Sequence, residues 1–286
     1  MSLPAIGFVG VGRMGVNMAR RLREAGYAIL AVYDVRPETA ADVAKELGAK
    51  AVERVSEVSR LAEIIFTIVT DDEAMRSIYF GPDNLFKHAR GKYFVNCATV
   101  SPVVHVEVHA AGAEQGAHVL EAPLASSIPQ AREGKLYMML AGDPIDYRYV
   151  EPVLEKLTAS RHFVGKPGNA AALKALVNMV MNINTAGLAE GLGLAETLGL
   201  DLKLVKELFS QTGANSRVLE TDGQDMIDRE HSVFFSAAHA AKDRGIALDL
   251  AKKEHLYLPL LEGSKRQFDR MIELGLGEID NQVSRS

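Results

Sequence analysis

A chain of 286 residues that is 48% hydrophobic and 24% charged can bury one large core or two moderate ones, and two domains are expected. Its net charge of −5 gives no basic footprint for nucleic acid, so an anionic ligand has to be drawn by a local group of cations. A single cysteine excludes a disulfide scaffold within one chain and, with a first strand starting a few residues after Met1, points to a reducing, cytoplasmic location.

Ala5 to Gly10 (AIGFVG) reads as a short buried strand, and Gly10-Val11-Gly12-Arg13-Met14-Gly15 runs from it into a helix, VNMARRLREAGY. A GxGxxG turn in that setting suits a dinucleotide. Gly10 permits the tight turn, Gly12 lets the backbone approach a pyrophosphate, and Gly15 lets helix and strand pack closely, with the helix N-terminus and its Arg13 and Met14 beside the phosphates. The second strand, AILAVYD, ends about 20 residues on in Asp34, whose carboxylate can accept both ribose hydroxyls of an adenosine. Arg36 is the counter-signal, able to turn toward a 2′-phosphate. NAD is the expected cofactor, with NADP possible.

Helix PETAADVAKELG, strand Lys50 to Val52, helix Ser56 to Ala62 and strand Glu63 to Val69 keep the βαβ rhythm. Thr70-Asp71-Asp72 closes the last of these at the end where doubly wound sheets bind ligands. Thr70 is placed with the cofactor, and Asp71 or Asp72 is read as the N-cap of the helix EAMRSIYF. Strand Tyr93 to Cys97 leads into Ala98-Thr99-Val100-Ser101-Pro102, where Thr99 can meet the nicotinamide half, and Cys97 reads as packing. Helix Val103 to Gln115, strand His118 to Glu121, the apolar loop Ala122 to Pro129, strand Leu136 to Ala141, helix Ile145 to Leu157 and strand Arg161 to Val164 complete an α/β domain over residues 1–165.

Gly165 to Gly199 reads as one long Ala/Leu/Met-rich helix. Lys174, Asn178 and Asn182 fall at i, i+4 and i+8, a polar line on an apolar rod, and its asparagines and glutamates exclude a membrane span. Such groups either face a site or cap backbone and hold water. Gly187, Gly191 and Gly193 imply a close helix crossing, within the chain or between subunits. Leu202 to Ser210, Ser216 to Met226, about Ser236 to Lys253 and Pro259 to Leu274 follow with helical spacing, so residues 166–286 form an all-helical domain, with Lys242-Asp243 in mid-helix. The expected fold is an α/β Rossmann-type doubly wound N-terminal domain followed by an all-α C-terminal domain, joined by the long central helix.

Five stretches carry a family resemblance along essentially the whole chain: FVGVGRMGVNMARRL, NCATVSP, EAPLASSIPQAREGKL, GNAAALKALVN and FSAAHAAKDRGIAL. The chain resembles β-hydroxyacid dehydrogenases of the 3-hydroxyisobutyrate dehydrogenase type. The resemblance implies that Lys174 is the catalytic lysine, Asn178 its neighbour at the reacting oxygen, Thr99 a nicotinamide-loop contact, and Lys242 a group reaching substrate or cofactor from the second domain. It also places Ser126 and Ser127 in the substrate loop. There the family's serine-glycine-glycine is replaced by Ala125-Ser126-Ser127, Ala170 replaces the second glycine before the lysine, and Asn96 and Glu121 stand where aspartate is usual.

The chemistry fits the residues independently. Oxidising an alcohol requires removal of the hydroxyl proton and reducing an aldehyde requires its return, and Lys174 can do both. An ordinary lysine pKa of about 10.4 is too high for a base at neutral pH, but burial and a neighbouring positive nicotinamide both disfavour the charged amine. The reading is an NAD(P)-dependent 3-hydroxyacid dehydrogenase or semialdehyde reductase with a small anionic hydroxy-acid or aldehyde substrate, no metal, no nucleic acid, and a homodimer or homotetramer as its assembly. Its alternatives are a catalytically silent NAD(P)-binding interaction protein and an imine reductase on the same scaffold. The two serines carry a further expectation: extra hydroxyls suit a substrate head with more acceptors than a carboxylate, unless they bond to the loop's own backbone.

Overall fold

The structure, a computed structural model, describes residues 3–229 and 237–275. The chain divides into two compact units, Met1–Lys174 and Ala175–Ser286.

In the first unit, β1 (Ile6–Val9), β2 (Ile29–Tyr33), β3 (Lys50–Ala51), β4 (Ile64–Thr67), β5 (Tyr93–Asn96) and β6 (His118–Glu121) form one parallel sheet in the order β3-β2-β1-β4-β5-β6. The strands are short and apolar because both faces are covered by helices. Phe8, Val32, Phe66 and Leu120 face a core shared with α1 (Arg13–Glu24) and α2 (Pro37–Leu47). Val9, Ile65 and Phe94 face the opposite core, shared with α3 (Ser56–Leu61), α4 (Asp72–Phe80) and α5 (Pro102–Glu114). Strand order reverses between β1 and β4, the place where the carboxyl ends of such sheets leave a crevice. The doubly wound expectation is met.

Three local features depart from the expectation. Leu85–His88 forms a turn of 3-10 helix. A short helix, α6 (Ile128–Glu133), occupies the end of the presumed loop and the residues after it: Ser127 and Gln130 make a reciprocal capping box, and Gly134 closes the helix in the left-handed conformation. β7 (Leu136–Leu140), α7 (Pro144–Leu154) and β8 (Thr158–Phe163) follow, with β7 and β8 pairing in a separate two-stranded parallel sheet. Single antiparallel bridges, Glu121 to Ala141 and Leu124 to Met138, fasten β7 to the end of β6.

The long helix is α8 (Asn169–Thr197), and the boundary between the units falls inside it. In the second unit it packs with α9 (Leu202–Ser210) and α10 (Arg217–Asp228) through Leu188, Leu192, Val205, Leu219 and Met226. Ala175, Ala247 and Leu261 centre a second cluster with α11 (Ala237–Lys253) and α12 (Pro259–Glu273). Every described element after β8 is helical, while Ser236, the expected start of α11, lies outside the described residues. Of the three helix glycines, Gly191 sits under a close crossing, where a Cβ would press on the Phe209 ring at 3.3 Å; among the described residues nothing lies within 4 Å of a Cβ at Gly187 or Gly193.

Candidate active site

The glycine turn after β1 has the shape its sequence demands. Gly10 adopts φ +87°, and a Cβ there would overlap the carbonyl of Ile68, while a Cβ on Gly15 would overlap the carbonyl of Gly10. Gly12 is the N-cap of α1 and contributes no side-chain cap; no acid stands in the first turn, and the space where its Cβ would lie is open. This open helix N-terminus, with Arg13 exposed beside it, suits an anion. Met14 instead packs partly into the sheet core. At the end of β2 the Asp34 carboxylate, only 8% exposed, accepts the N–H of Val11 at 3.0 Å and of Arg36 at 3.0 Å. These bonds hold it against the turn. The Arg36 guanidinium lies 3.6 Å from it and is largely exposed. The cradle and its acid fit the adenosine and pyrophosphate of a dinucleotide.

Two more strand ends complete this edge. Thr70 is exposed after β4 and donates to Asp71 at 2.8 Å, and Asp71 is the N-cap of α4, accepting from Ala74. Asp72 has a task that the sequence did not suggest: its carboxylate accepts both the N–H and the hydroxyl of Ser101, at 2.7 and 2.6 Å. It ties the loop after β4 to the loop that carries Thr99, which is half-buried. Beneath them Asn96 accepts hydroxyls from Thr67 at 2.7 Å and Tyr79 at 2.6 Å. The amide oxygen accepts from two donors without burying a charge, while the amide nitrogen has no hydrogen-bond partner among the described residues. Cys97 is buried, and burial pushes its thiol up, as expected for packing.

Ser126 and Ser127 sit half-buried in the loop after β6. Ser126 Oγ accepts the N–H of Tyr137 at 2.7 Å, and Ser127 Oγ is held by Gln130 within the capping box of α6. Ser126 thus meets a β7 backbone N–H and Ser127 a side chain of α6, neither of them the loop's own backbone. Lys174 lies on α8 with only 9% of its surface exposed. Upstream, the buried Glu121 carboxylate receives the N–H of Gly168 and, at 3.0 Å, of Ala171.

In the second unit Asn178 and Asn182 are buried on α8, so the polar line is internal. Asn178 Nδ2 donates to Asp243 Oδ2 at 2.6 Å, whereas the Asn182 amide has no hydrogen-bond partner among the described residues. Lys242 Nζ is 3.1 Å from Asp243 Oδ1, close enough for an ion pair but without the alignment of a hydrogen bond. Sequence reasoning named Asp243 only as a neighbour. The signal available was an acid beside the helical lysine, and its partner lies 65 positions away.

Residues 5–165 match the family described as the NAD binding domain of 6-phosphogluconate dehydrogenase, and residues 168–284 match the NAD-binding family of NADP-dependent 3-hydroxyisobutyrate dehydrogenase. The chain belongs to the β-hydroxyacid dehydrogenase family. Among its relatives in that family is glyoxylate/succinic semialdehyde reductase 2, chloroplastic, of Arabidopsis thaliana, 31% identical, the match covering 96% of this chain and 77% of the relative. The 2-hydroxy-3-oxopropionate reductase of Escherichia coli (strain K12) is also 31% identical, over 97% of this chain and 94% of its own length. In three dimensions, Mycobacterium tuberculosis 3-hydroxyisobutyrate dehydrogenase with L-serine superposes at a TM-score of 0.90, with 25% identity, over 99% of this chain and 98% of that one.

Proposed function

We propose that this β-hydroxyacid dehydrogenase is an NAD(P)-dependent oxidoreductase acting on a small 3-hydroxy acid or the corresponding semialdehyde, with Lys174 as general acid/base. The observation that carries the proposal is an amine buried on α8 in a chain whose strand ends form a dinucleotide cradle. When bound, the nicotinamide supplies or takes the hydride. Lys174 receives the hydroxyl proton when the alcohol is oxidised and returns it when the aldehyde is reduced. Asn178 is assigned to the reacting oxygen, and its bond to Asp243 sets which way its amide faces. Lys242 supplies positive charge toward an anionic group, and its approach to Asp243 anchors it. Gly10, Gly12, Arg13, Gly15, Asp34, Thr70 and Thr99 are assigned to the cofactor, and Met14, whose side chain packs partly into the core, only to the backbone of that turn. Ser126 and Ser127 are assigned to the wall of the substrate site, their hydroxyls being engaged with Tyr137 and Gln130. The test follows nicotinamide absorbance with glyoxylate, succinic semialdehyde, 2-hydroxy-3-oxopropionate and 3-hydroxyisobutyrate. Turnover of none of them with either cofactor would refute the proposal.

Asp34 sets the expected cofactor preference. Its buried carboxylate would repel a 2′-phosphate and accept ribose hydroxyls, so kcat/KM should be higher with NADH than with NADPH. The reverse order would assign Arg36 to the phosphate instead.

A homo-oligomer, at least a dimer, is also proposed. Leu194 on α8, Leu198 just after it, and Leu204 and Leu208 on α9 are each more than half exposed, an apolar surface that a second copy would cover. Light scattering at micromolar concentration should give a dimer mass or greater, and a monomer would contradict it.

A further inference from the structure

The start of α8 poses a structural question. A helix needs acceptors for its first N–H groups, and the residue before Asn169 is Gly168, which has no side chain to offer one. The acceptor comes from 47 residues away. Glu121, 2% exposed at the end of β6, receives Gly168 N–H on one carboxylate oxygen and Ala171 N–H on the other at 3.0 Å. Its own backbone is fixed by a reciprocal pair: Glu121 N–H donates to Ala141 O at 2.9 Å, and Ala141 N–H returns to Glu121 O at 3.1 Å.

We propose that Glu121 is a positioning residue for Lys174: its carboxylate, anchored by the end of β6, fixes the rotation and depth of the first turn of α8 and thereby where the lysine amine stands. The proposal rests on the acid/base reading of Lys174. A two-oxygen acceptor is needed because two N–H groups on successive sides of a helical turn must be held at once, and a single-acceptor side chain leaves one unpaired in a buried place. Burial pushes the Glu121 carboxyl up, and the backbone donors of Gly168, Ala171 and Ala170 draw it back. A carboxylate at a helix N-terminus also complements the helix dipole. Glu121 immediately precedes the Ala122 to Ser127 loop, so one side chain ties the origin of the substrate loop to the origin of the lysine helix. A remote misplacement of about 1 Å can cost about 10²-fold in rate.

The test uses Glu121→Gln, which keeps the shape but turns an amide NH2 toward a backbone N–H. Turnover of the best substrate of the panel is measured beside the thermal midpoint and the NAD(P)H dissociation constant from cofactor fluorescence. The expected result is a kcat lowered at least about tenfold in a protein that remains folded at the assay temperature, with cofactor affinity within about twofold. Glu121→Asp, which keeps the charge on a stem one methylene shorter, should fall between the two, with kcat down about threefold or more. A merely structural cap would lower the thermal midpoint and leave the kcat of the folded enzyme unchanged. That result in Glu121→Gln, or in Glu121→Asp if the glutamine variant does not fold, overturns the proposal. Lys174→Ala separates the two claims. If it keeps its turnover the acid/base reading fails, whereas if it is inactive and Glu121→Gln is near normal only the positioning role fails.

Discussion

Lys174→Ala should lower kcat by about 10²-fold or more, the usual contribution of a positioned acid/base, while leaving NAD(P) affinity nearly intact. The separation follows from where the groups stand. On the proposed assignment the adenosine and pyrophosphate fall to the β1 turn and to Asp34, fixed by Val11 and Arg36, whereas Lys174 comes from α8. A side chain buried on a helix can be truncated without breaking its backbone bonds, so the variant should fold, with a cavity as its main structural defect. Cofactor titration and single-turnover rates would check this, and a folded variant with near-normal kcat would make the lysine structural.

The second large effect concerns stability in acid. His105, on α5, is 1% exposed, and its ring nitrogens have no aligned hydrogen bond among the described residues. Burial pushes its imidazole down to about 4 from 6.5, against a weaker opposite pull from the Ala98 backbone and the Asp72 carboxylate. As pH falls below 6.5 the unfolded chain takes a proton that the folded chain refuses until about 4. Its contribution is therefore fully present above 6.5 and lost as pH falls through that window, up to about 3 kcal/mol. Glu121 acts in the opposite sense: its carboxyl is raised by burial, so its share of stability declines as pH rises through the carboxylate range. The gap between the urea midpoints at neutral pH and near pH 4 should be markedly smaller for His105→Leu than for the native protein. Parallel losses in the two proteins would remove His105 from the account.

What could be read in advance was what neighbouring residues decide together. The glycine turn and the cap at Asp71 act within a few positions, the acid ending β2 follows from the strand-turn-helix pattern before it, and the line of Lys174, Asn178 and Asn182 follows from helix geometry alone. α6 was legible but unread, since Ser127, Gln130 and Gly134 already spell a capped helix. The ties that hold the candidate site were not legible. Asp72 to Ser101, Glu121 to Gly168 and Asn178 to Asp243 join residues 29, 47 and 65 positions apart, and each involves an acid that looks like an ordinary surface or cap residue until the chain is folded. The tie of Ser126 Oγ to the backbone N–H of Tyr137 was likewise not legible, whereas the bond of Ser127 to Gln130 belongs to the capping box of α6.

The inert thiol at Cys97 has a practical use. It is the chain's only cysteine, and a buried thiol with its acidity suppressed offers almost no thiolate to an alkylating dye. A cysteine introduced at Val35, 80% exposed and next to Asp34, would be the one reactive thiol in the molecule. A fluorophore there would report the arrival of the adenosine end directly, with no background label and no need to remove a native residue, so that cofactor binding could be timed apart from turnover.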